Sequence, residues 1–182
     1  MKLAALVAWL ALSPVATTPD LAGLELRRGT AETIALPASL GAQRLTAVVF
    51  YAESCPCFAA HAGRLQAIMR ELGPKGVRFL FVDSERHAAA ARVPDVVPGL
   101  GAPLYRDVGG RLAKRLDAAY ATETFVFDAT GALRYRGGVD DDRRYLRASA
   151  RPLLRDALAA LLAGSAPPFS STKALGCALR LR

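Results

Sequence analysis

Two cysteines separated by one proline, Cys55-Pro56-Cys57, follow an apolar run that ends at Tyr51 and open a segment with helical periodicity. A thiol at a strand-to-helix junction lies at the sheet edge, beside the free N–H groups and the positive dipole end of the helix. Both effects favour the thiolate, so we expect a lowered pKa for Cys55. Pro56 suits the first helical position, where its missing N–H costs no hydrogen bond. Because the thiolate is the species that attacks disulfides, this segment predicts thiol–disulfide exchange.

The third cysteine, Cys177, lies near the C-terminus, after a linker long enough to fold back over the domain. Either Cys57 or Cys177 could resolve an oxidised Cys55, and Cys177 could equally be a free or structural thiol. Positions i and i+2 of a helix point away from each other, so a Cys55–Cys57 bridge requires Cys55 to lie outside the helix as its cap. Such a bridge would close a small, strained ring. We therefore predict a catalytic set of Cys55, Cys57 and Cys177 and leave the pairing open.

A histidine lies one helical turn after the cysteine pair. His61 is four residues beyond Cys57 and so shares its helix face. An imidazole and two thiolates suit copper or zinc, which makes a copper-binding carrier an alternative function. The competing interpretation is a solvated residue on the helix surface. We predict no metal and no other cofactor.

The first residues predict the compartment. Lys2 precedes an unbroken apolar run over 3–12, and Ser13-Pro14 and small residues follow. This order is typical of a secretory signal peptide, and the run is too short to span a bilayer, which needs about 20 residues. We predict a leader over 1–16, with an N-terminal helix packed on the domain as the alternative. The protein is then secreted or periplasmic, where cysteines can form disulfides.

Composition predicts a folded chain of ordinary polarity. The 182 residues suit one domain with short extensions, and hydrophobic residues make up 52% of them. The net charge is +8, but the arginines are scattered singly or in pairs and form no basic run. We therefore expect a solvated, arginine-rich surface, with no nucleic-acid partner and no stable insertion in a membrane.

Apolar runs alternate with segments of helical periodicity along the chain. The predicted strands lie at 24–28, 32–36, Leu45–Tyr51, Val77–Asp83, Leu104–Arg106, Thr124–Asp128 and 133–136, with a short extended piece at 178–181. The predicted helices lie at Pro56–Leu72, 84–92 and 110–118, followed by a long amphipathic helix over 142–163 that has Tyr145 and Leu146 on its inner side. This order predicts an α/β domain over 24–163, with a mixed sheet between two helical layers, and a C-terminal tail over 164–182.

The segment 48–65, VVFYAESCPCFAAHAGRL, resembles the active-site segment of the thioredoxin-like superfamily. It is most similar to the redoxin or peroxiredoxin-like branch, which includes alkyl hydroperoxide reductase and thiol-specific antioxidant proteins. The similarity extends through 77–84, 122–138 and the helix at 153–164 to the ending TKALGCAL at 172–179, about three quarters of the chain. The resemblance implies a thioredoxin-like fold, with a central mixed sheet of four to five strands flanked by helices on both faces.

The same resemblance implies an activity and its substrates. It predicts a thiol–disulfide oxidoreductase that acts on protein thiols or disulfides and is served by a thiol reductant. Thr122 takes the place where thioredoxins have a cis-proline facing the active cysteines, so Thr122 and Pro56 are the expected substrate-binding residues. Peroxiredoxins carry a hydroxyl residue three positions before the reactive cysteine and a proline four before that, where this chain has Ala52 and Val48. A thiol-dependent peroxidase acting on a small peroxide is therefore the alternative.

Overall fold

The computed structural model describes residues 18–29, 32–86 and 94–181, and one mixed sheet runs through them. Its seven strands are β1 Glu25–Arg28, β2 Glu32–Ala35, β3 Leu45–Tyr51, β4 Val77–Asp83, β5 Leu104–Arg106, β6 Thr124–Asp128 and β7 Leu133–Gly137. They lie in the order β2-β1-β5-β4-β3-β6-β7. Strand β3 pairs in parallel with β4 and antiparallel with β6, which places it at the centre. All seven of its residues are buried, as its continuous apolar sequence predicts.

Helices cover both faces of this sheet. The four α-helices of the described residues are α1 Leu36–Leu40, α2 Pro56–Leu72, α3 Arg111–Leu116 and α4 Leu153–Leu162. Helices α2 and α4 pack in one apolar cluster with Val49 of β3, while α1 and α3 pack in a second cluster with Val48 and Phe50. The alternation of β3 side chains between the two clusters follows from the two-residue period of a strand. The predicted layer arrangement is therefore confirmed.

The sheet is wider than the four to five strands predicted. The N-terminal hairpin β1–β2 joins the edge of the sheet, where Arg27 of β1 faces Arg106 of β5 in an antiparallel pair. Leu26 is fully buried in the α1–α3 cluster. Burial of Leu26 on one face of the hairpin therefore stabilises β1 and β2, the two strands beyond the predicted four to five.

The predicted long helix over 142–163 is wrong in its first half. Residues 142–152 form no helix, and Tyr145 and Leu146 are exposed rather than inward-facing. Pro152 lacks a backbone donor and disfavours helical geometry in the residue before it. Local carboxylates also take the backbone donors: Asp142 accepts from the Arg147 N–H at 2.7 Å, and Asp141 accepts from the Arg151 N–H at 2.8 Å. These bonds hold the segment in an irregular loop.

Other predicted elements have mixed outcomes. The extended piece at 178–181 makes only an isolated bridge, between Ala178 and Tyr120. The predicted helix over 84–92 lies largely, and the leader over 1–16 entirely, outside the described residues. Within the described part of the chain, no helix combines the length and hydrophobicity that crossing a membrane requires.

A buried ionic cluster joins α2 to the loop after β7. The His61 ring contacts Asp140 Oδ1 through Nε2 at 3.0 Å and the Cys57 carbonyl oxygen through Nδ1 at 2.7 Å. Arg64 forms an ion pair with Asp140 and a second with Asp142. Burial lowers the pKa of His61, but its hydrogen bonds and the charge of Asp140 outweigh burial and raise the pKa overall. Burial likewise opposes the hydrogen bonds from His61 and Arg64, which nevertheless lower the pKa of Asp140.

Substituting the central carboxylate tests this cluster. We expect Asp140→Asn to lower the free energy of unfolding by about 3 kcal/mol, because His61 and Arg64 lose a buried charged partner. A raised His61 pKa stabilises the fold below the ordinary value of 6.5, and this stability is lost as pH rises through the folded pKa. The lowered Asp140 pKa stabilises the fold above 3.8, and this stability is lost on acidification.

Urea denaturation between pH 4 and pH 9 measures both effects. The difference between wild type and Asp140→Asn should be largest between the two ordinary pKa values, 3.8 and 6.5, and should shrink as pH rises above the latter. Asp117→Asn is the control, since the Asp117 side chain is 96% exposed and asparagine tolerates its left-handed backbone. If Asp140→Asn lowers the free energy of unfolding no more than Asp117→Asn does, the cluster does not stabilise the fold as proposed.

Candidate functional site

Cys55 is the N-cap of α2 and follows the end of the central strand β3 by four residues. Its backbone is extended (φ −81°, ψ 110°), so the residue stands outside the helix. Pro56 is the first helical residue. The Phe58 N–H donates to Cys55 Sγ at 3.4 Å, a contact to one of the free donors of the helix end. The positive end of α2 thus faces this sulfur.

Cys55 forms a disulfide with Cys177 across 122 residues of sequence, with 6.0 Å between the two Cα atoms. Of the pairings that the sequence leaves open, the structure contains this one. Cys57 has a free thiol and is buried, with 3% of its surface exposed. The three Sγ atoms all lie within 4.8 Å of one another. The structure therefore brings the three predicted catalytic residues into a single sulfur cluster.

The last part of the C-terminal tail, residues 171–181, brings Cys177 to Cys55 by hydrogen bonding with the loop 119–122. The Ala121 N–H donates to the Cys177 carbonyl at 2.8 Å, and the Leu179 N–H donates to the Ala119 carbonyl at 2.9 Å. A Cβ at Gly176 would overlap the Ala121 carbonyl oxygen and stand 3.1 Å from Thr122 Oγ1. The approach of the two backbones at this point therefore requires glycine.

The tail is also fixed on both sides of the disulfide. Upstream, the Thr172 N–H donates to the Arg136 carbonyl at 2.9 Å, and Thr172 Oγ1 lies 2.8 Å from the Tyr135 hydroxyl. Burial raises the pKa of Tyr135 to about 12, so this hydroxyl stays protonated. Downstream, the Arg180 guanidinium forms an ion pair with the buried carboxylate of Glu85 at 3.1 Å. Cys177 thus sits between two anchored ends.

A buried glutamate that the sequence analysis missed shapes the loop that receives the tail. Glu123 Oε2 accepts from the Ala119 and Tyr120 N–H groups at 2.8 and 3.3 Å, and Oε1 accepts from Arg136 Nε at 2.9 Å. An acidic residue next to a predicted strand is common, so the sequence carries no clear signal for this role. The loop it closes ends at Thr122, which has a left-handed backbone (φ 72°).

The predicted substrate-binding residues lie in different surroundings. Thr122 is 2% exposed and lies against Gly176 of the tail, and its N–H donates to the Phe50 carbonyl at 2.8 Å. Pro56 is exposed and lines a cleft of about 350 Å³ beside Cys55. The cleft has mostly apolar walls, and its other lining residues include Tyr51, Ala52, Phe58, Pro94 and Pro98. Pro56 therefore shares a cleft with Cys55, whereas Thr122 lies against the tail.

His61 does not join the sulfur cluster. Both of its ring nitrogens are already hydrogen-bonded, to Asp140 and to the Cys57 carbonyl, and the residue is buried rather than solvated. Within the described ranges, the three cysteines are the group whose ligand atoms converge, and two of them are covalently joined. The arrangement suits redox chemistry, because a disulfide offers no thiolate to a metal.

Solved structures show the same fold. A hypothetical protein from Sinorhizobium meliloti 1021 superposes with a TM-score of 0.75 at 22% identity, covering 87% of this chain and 90% of its own. An uncharacterized conserved protein from Geobacillus kaustophilus superposes with a TM-score of 0.72 at 24% identity, covering 87% of this chain and 88% of its own. The exposed lipoprotein thioredoxin of Streptococcus pneumoniae superposes with a TM-score of 0.53 at 18% identity, covering 77% of this chain and 97% of its own. Comparison with curated proteins yields no match.

These superpositions show a thioredoxin-like fold for this chain. The AhpC/TSA family model matches residues 17–136, which include the sheet core and the N-terminus of α2. The chain therefore belongs to the AhpC/TSA family, and the predicted family resemblance is confirmed. Members of a redoxin family act on thiols or peroxides, so a redox activity follows at this level.

Substitution of Gly176 tests how the tail reaches the site. We expect Gly176→Ala to push the tail away from Ala121 and to slow formation of the Cys55–Cys177 bond during oxidative refolding. Gly63→Ala is the matched control, because a Cβ at Gly63 meets nothing within 4 Å and alanine there favours α2 by about 1 kcal/mol. Quenched alkylation with mass spectrometry follows the bond in both variants. Equal rates would show that the close contact is not required.

Proposed function

We propose that this protein is an exported thiol–disulfide oxidoreductase whose redox pair is Cys55 and Cys177. The observation that carries the proposal is the disulfide between the N-cap of α2 and a tail anchored on both sides. Cys55 has the helix end needed to stabilise a thiolate, and Cys177 is held within bonding reach. Membership of a redoxin family supports the same chemistry.

The reaction follows from these positions. In the reduced protein, the Cys55 thiolate attacks one sulfur of a substrate disulfide and expels the other as a thiolate, which leaves a mixed disulfide. The Cys177 thiolate then attacks Cys55 Sγ and expels the remaining substrate sulfur, so two electrons pass to the substrate as the Cys55–Cys177 bond forms. A thiol reductant restores the two protein thiols. The reverse sequence oxidises a substrate dithiol.

The cleft favours a disulfide carried on apolar groups. Its lining includes Tyr51, Phe58 and the prolines at 56, 94 and 98, with Glu53 and Ser54 as the polar part. These surfaces gain free energy from contact with apolar side chains, while Cys55 lies at one side of the same cleft. We therefore propose a protein or peptide disulfide flanked by apolar residues as the substrate, with Pro56 as a contact.

A peroxidase is the second candidate, and membership of the AhpC/TSA family favours it. The Cys55 thiolate would attack a peroxide and release an alcohol or water, and Cys177 would then condense with the resulting sulfenic acid, releasing water. Ala52 is 3% exposed and supplies no hydroxyl to hold the peroxide. On this ground the disulfide substrate is the leading proposal.

Cysteine substitutions test the exchange mechanism. We expect Cys55→Ser to abolish reduction of insulin disulfides by dithiothreitol, because the attacking atom is lost. Cys177→Ser should instead accumulate the mixed disulfide at Cys55, visible as an added mass that dithiothreitol removes. Ser165→Ala, an exposed change in the linker, is the control and should keep wild-type turnover. Full activity in Cys55→Ser would refute the mechanism.

A peroxide assay separates the two candidates. Treatment of Cys177→Ser with hydrogen peroxide or cumene hydroperoxide should give little sulfenic acid at Cys55, as read by dimedone labelling. Rapid stoichiometric labelling, faster than insulin reduction, would instead favour the peroxidase.

Export is tested on the full chain. We propose that residues 1–16 are removed on secretion, which places the disulfide in an oxidising compartment. Expression in a bacterial host should give a periplasmic product whose N-terminus is Thr17. A cytoplasmic product that retains Met1 or begins at Lys2 would contradict this.

A further inference from the structure

Cys57 is a free thiol next to a disulfide that the proposed mechanism completes without it. Its sulfur lies within 4.8 Å of both bonded sulfurs, and the residue is 3% exposed. A thiol held this close to a disulfide reacts as an intramolecular partner, without the entropy cost of a bimolecular encounter. We propose that Cys57 exchanges with the Cys55–Cys177 bond and acts as a third redox residue. This inference rests on the proposed function and adds a step to it.

The exchange is an isomerisation. The Cys57 thiolate attacks Cys177 Sγ, a Cys57–Cys177 bond forms, the Cys55–Cys177 bond breaks, and its electron pair leaves with Cys55 as a thiolate. Cys55 then takes up the proton that Cys57 released. One disulfide is present before and after, so the step consumes no oxidant or reductant.

The direction of attack follows from the leaving groups. Attack on Cys177 expels Cys55, whose sulfur accepts from the Phe58 N–H at the end of α2. Attack on Cys55 would expel Cys177, which lies in the extended tail, and would form a ring containing only the rigid Pro56 between the two cysteines. Because a better-stabilised thiolate leaves faster, attack on Cys177 is favoured.

The consequence is a site that regains its nucleophile while it stays oxidised. After exchange, Cys57 tethers the tail, and the Cys55 thiol faces the cleft lined by Pro56 and Phe58. Cys177 stays in the bond in both isomers and is the most exposed of the three cysteines. The thiol reductant therefore attacks at Cys177, while Cys55 is available to the substrate.

Alkylation of the oxidised protein under native conditions tests the exchange. The oxidised wild type is incubated with N-ethylmaleimide at neutral pH, and the labelled residue is identified by digestion without reduction. With a static disulfide, all label enters Cys57, slowly. With exchange, the Cys57–Cys177 isomer is continuously drawn off, and label accumulates on Cys55. Label confined to Cys57 overturns the proposal, and label on Cys177 overturns the direction of attack.

Two variants serve as controls. Oxidised Cys57→Ser and Cys57→Ala should show loss of the Cys55 label, because no thiol remains to start the exchange. Label on Cys55 in either variant would mean that the disulfide opens by another route, which also overturns the proposal. The alkylation test requires no substrate and no turnover. It can therefore disprove the exchange while the wild type reduces insulin, and it can detect the exchange in a protein that does not reduce insulin.

Discussion

The contact between two backbones at Gly176 determines whether the three cysteines can meet. Residues 55 and 177 are separated by nearly the whole domain in sequence, and no helix or regular strand carries the second of them. The tail is instead positioned by the loop 119–122, to which it is hydrogen-bonded at Cys177 and Leu179, just after Gly176. Any side chain at this glycine would collide with Ala121. The disulfide between Cys55 and Cys177 therefore depends on the absence of a side chain at residue 176.

Two buried carboxylates fix the backbone segments next to the sulfur cluster. Glu123 holds the loop by accepting two of its N–H groups, and Arg136 balances its charge. Asp140 holds His61, which in turn contacts the Cys57 carbonyl in the first turns of α2. Neither carboxylate belongs to the sulfur cluster. Each fixes a backbone segment that positions a cysteine, and the cost of burying its charge is offset by several hydrogen bonds.

The sequence predicts the core elements well, because they depend on local patterns. Strand β3 and helix α2 lie where the apolar run and the helical periodicity place them, and Cys55 stands outside the helix as its cap. The failure over 142–152 has a local cause too: apolar periodicity favours a helix, but carboxylates at 141 and 142 bind the backbone donors and Pro152 delays the helix start. Side chain-to-backbone bonds of this kind leave no periodic signal.

Long-range partners were beyond prediction from one sequence. The choice between Cys57 and Cys177 as partner of Cys55 depends on where the tail folds, and this depends on Gly176 fitting against Ala121. Helical spacing places His61 near Cys57 and so suggests a metal ligand. Only the fold brings Asp140, 79 residues later, to its second nitrogen. Helical spacing identifies the face of a helix, whereas tertiary packing decides which groups meet there.

Equilibration of the protein with dithiothreitol buffers over a range of potentials, followed by acid quench and site-resolved alkylation, tests the central claim most directly. If Cys55 and Cys177 are the redox pair, both should lose and regain label together in one two-electron transition, about 30 mV per tenfold change in the equilibrium constant. Cys57 should lose label only to the extent that the Cys57–Cys177 isomer forms, and Cys55 should then gain the same amount. Persistent labelling of Cys177 at potentials where Cys55 is protected, or separate transitions for the two residues, would contradict the account.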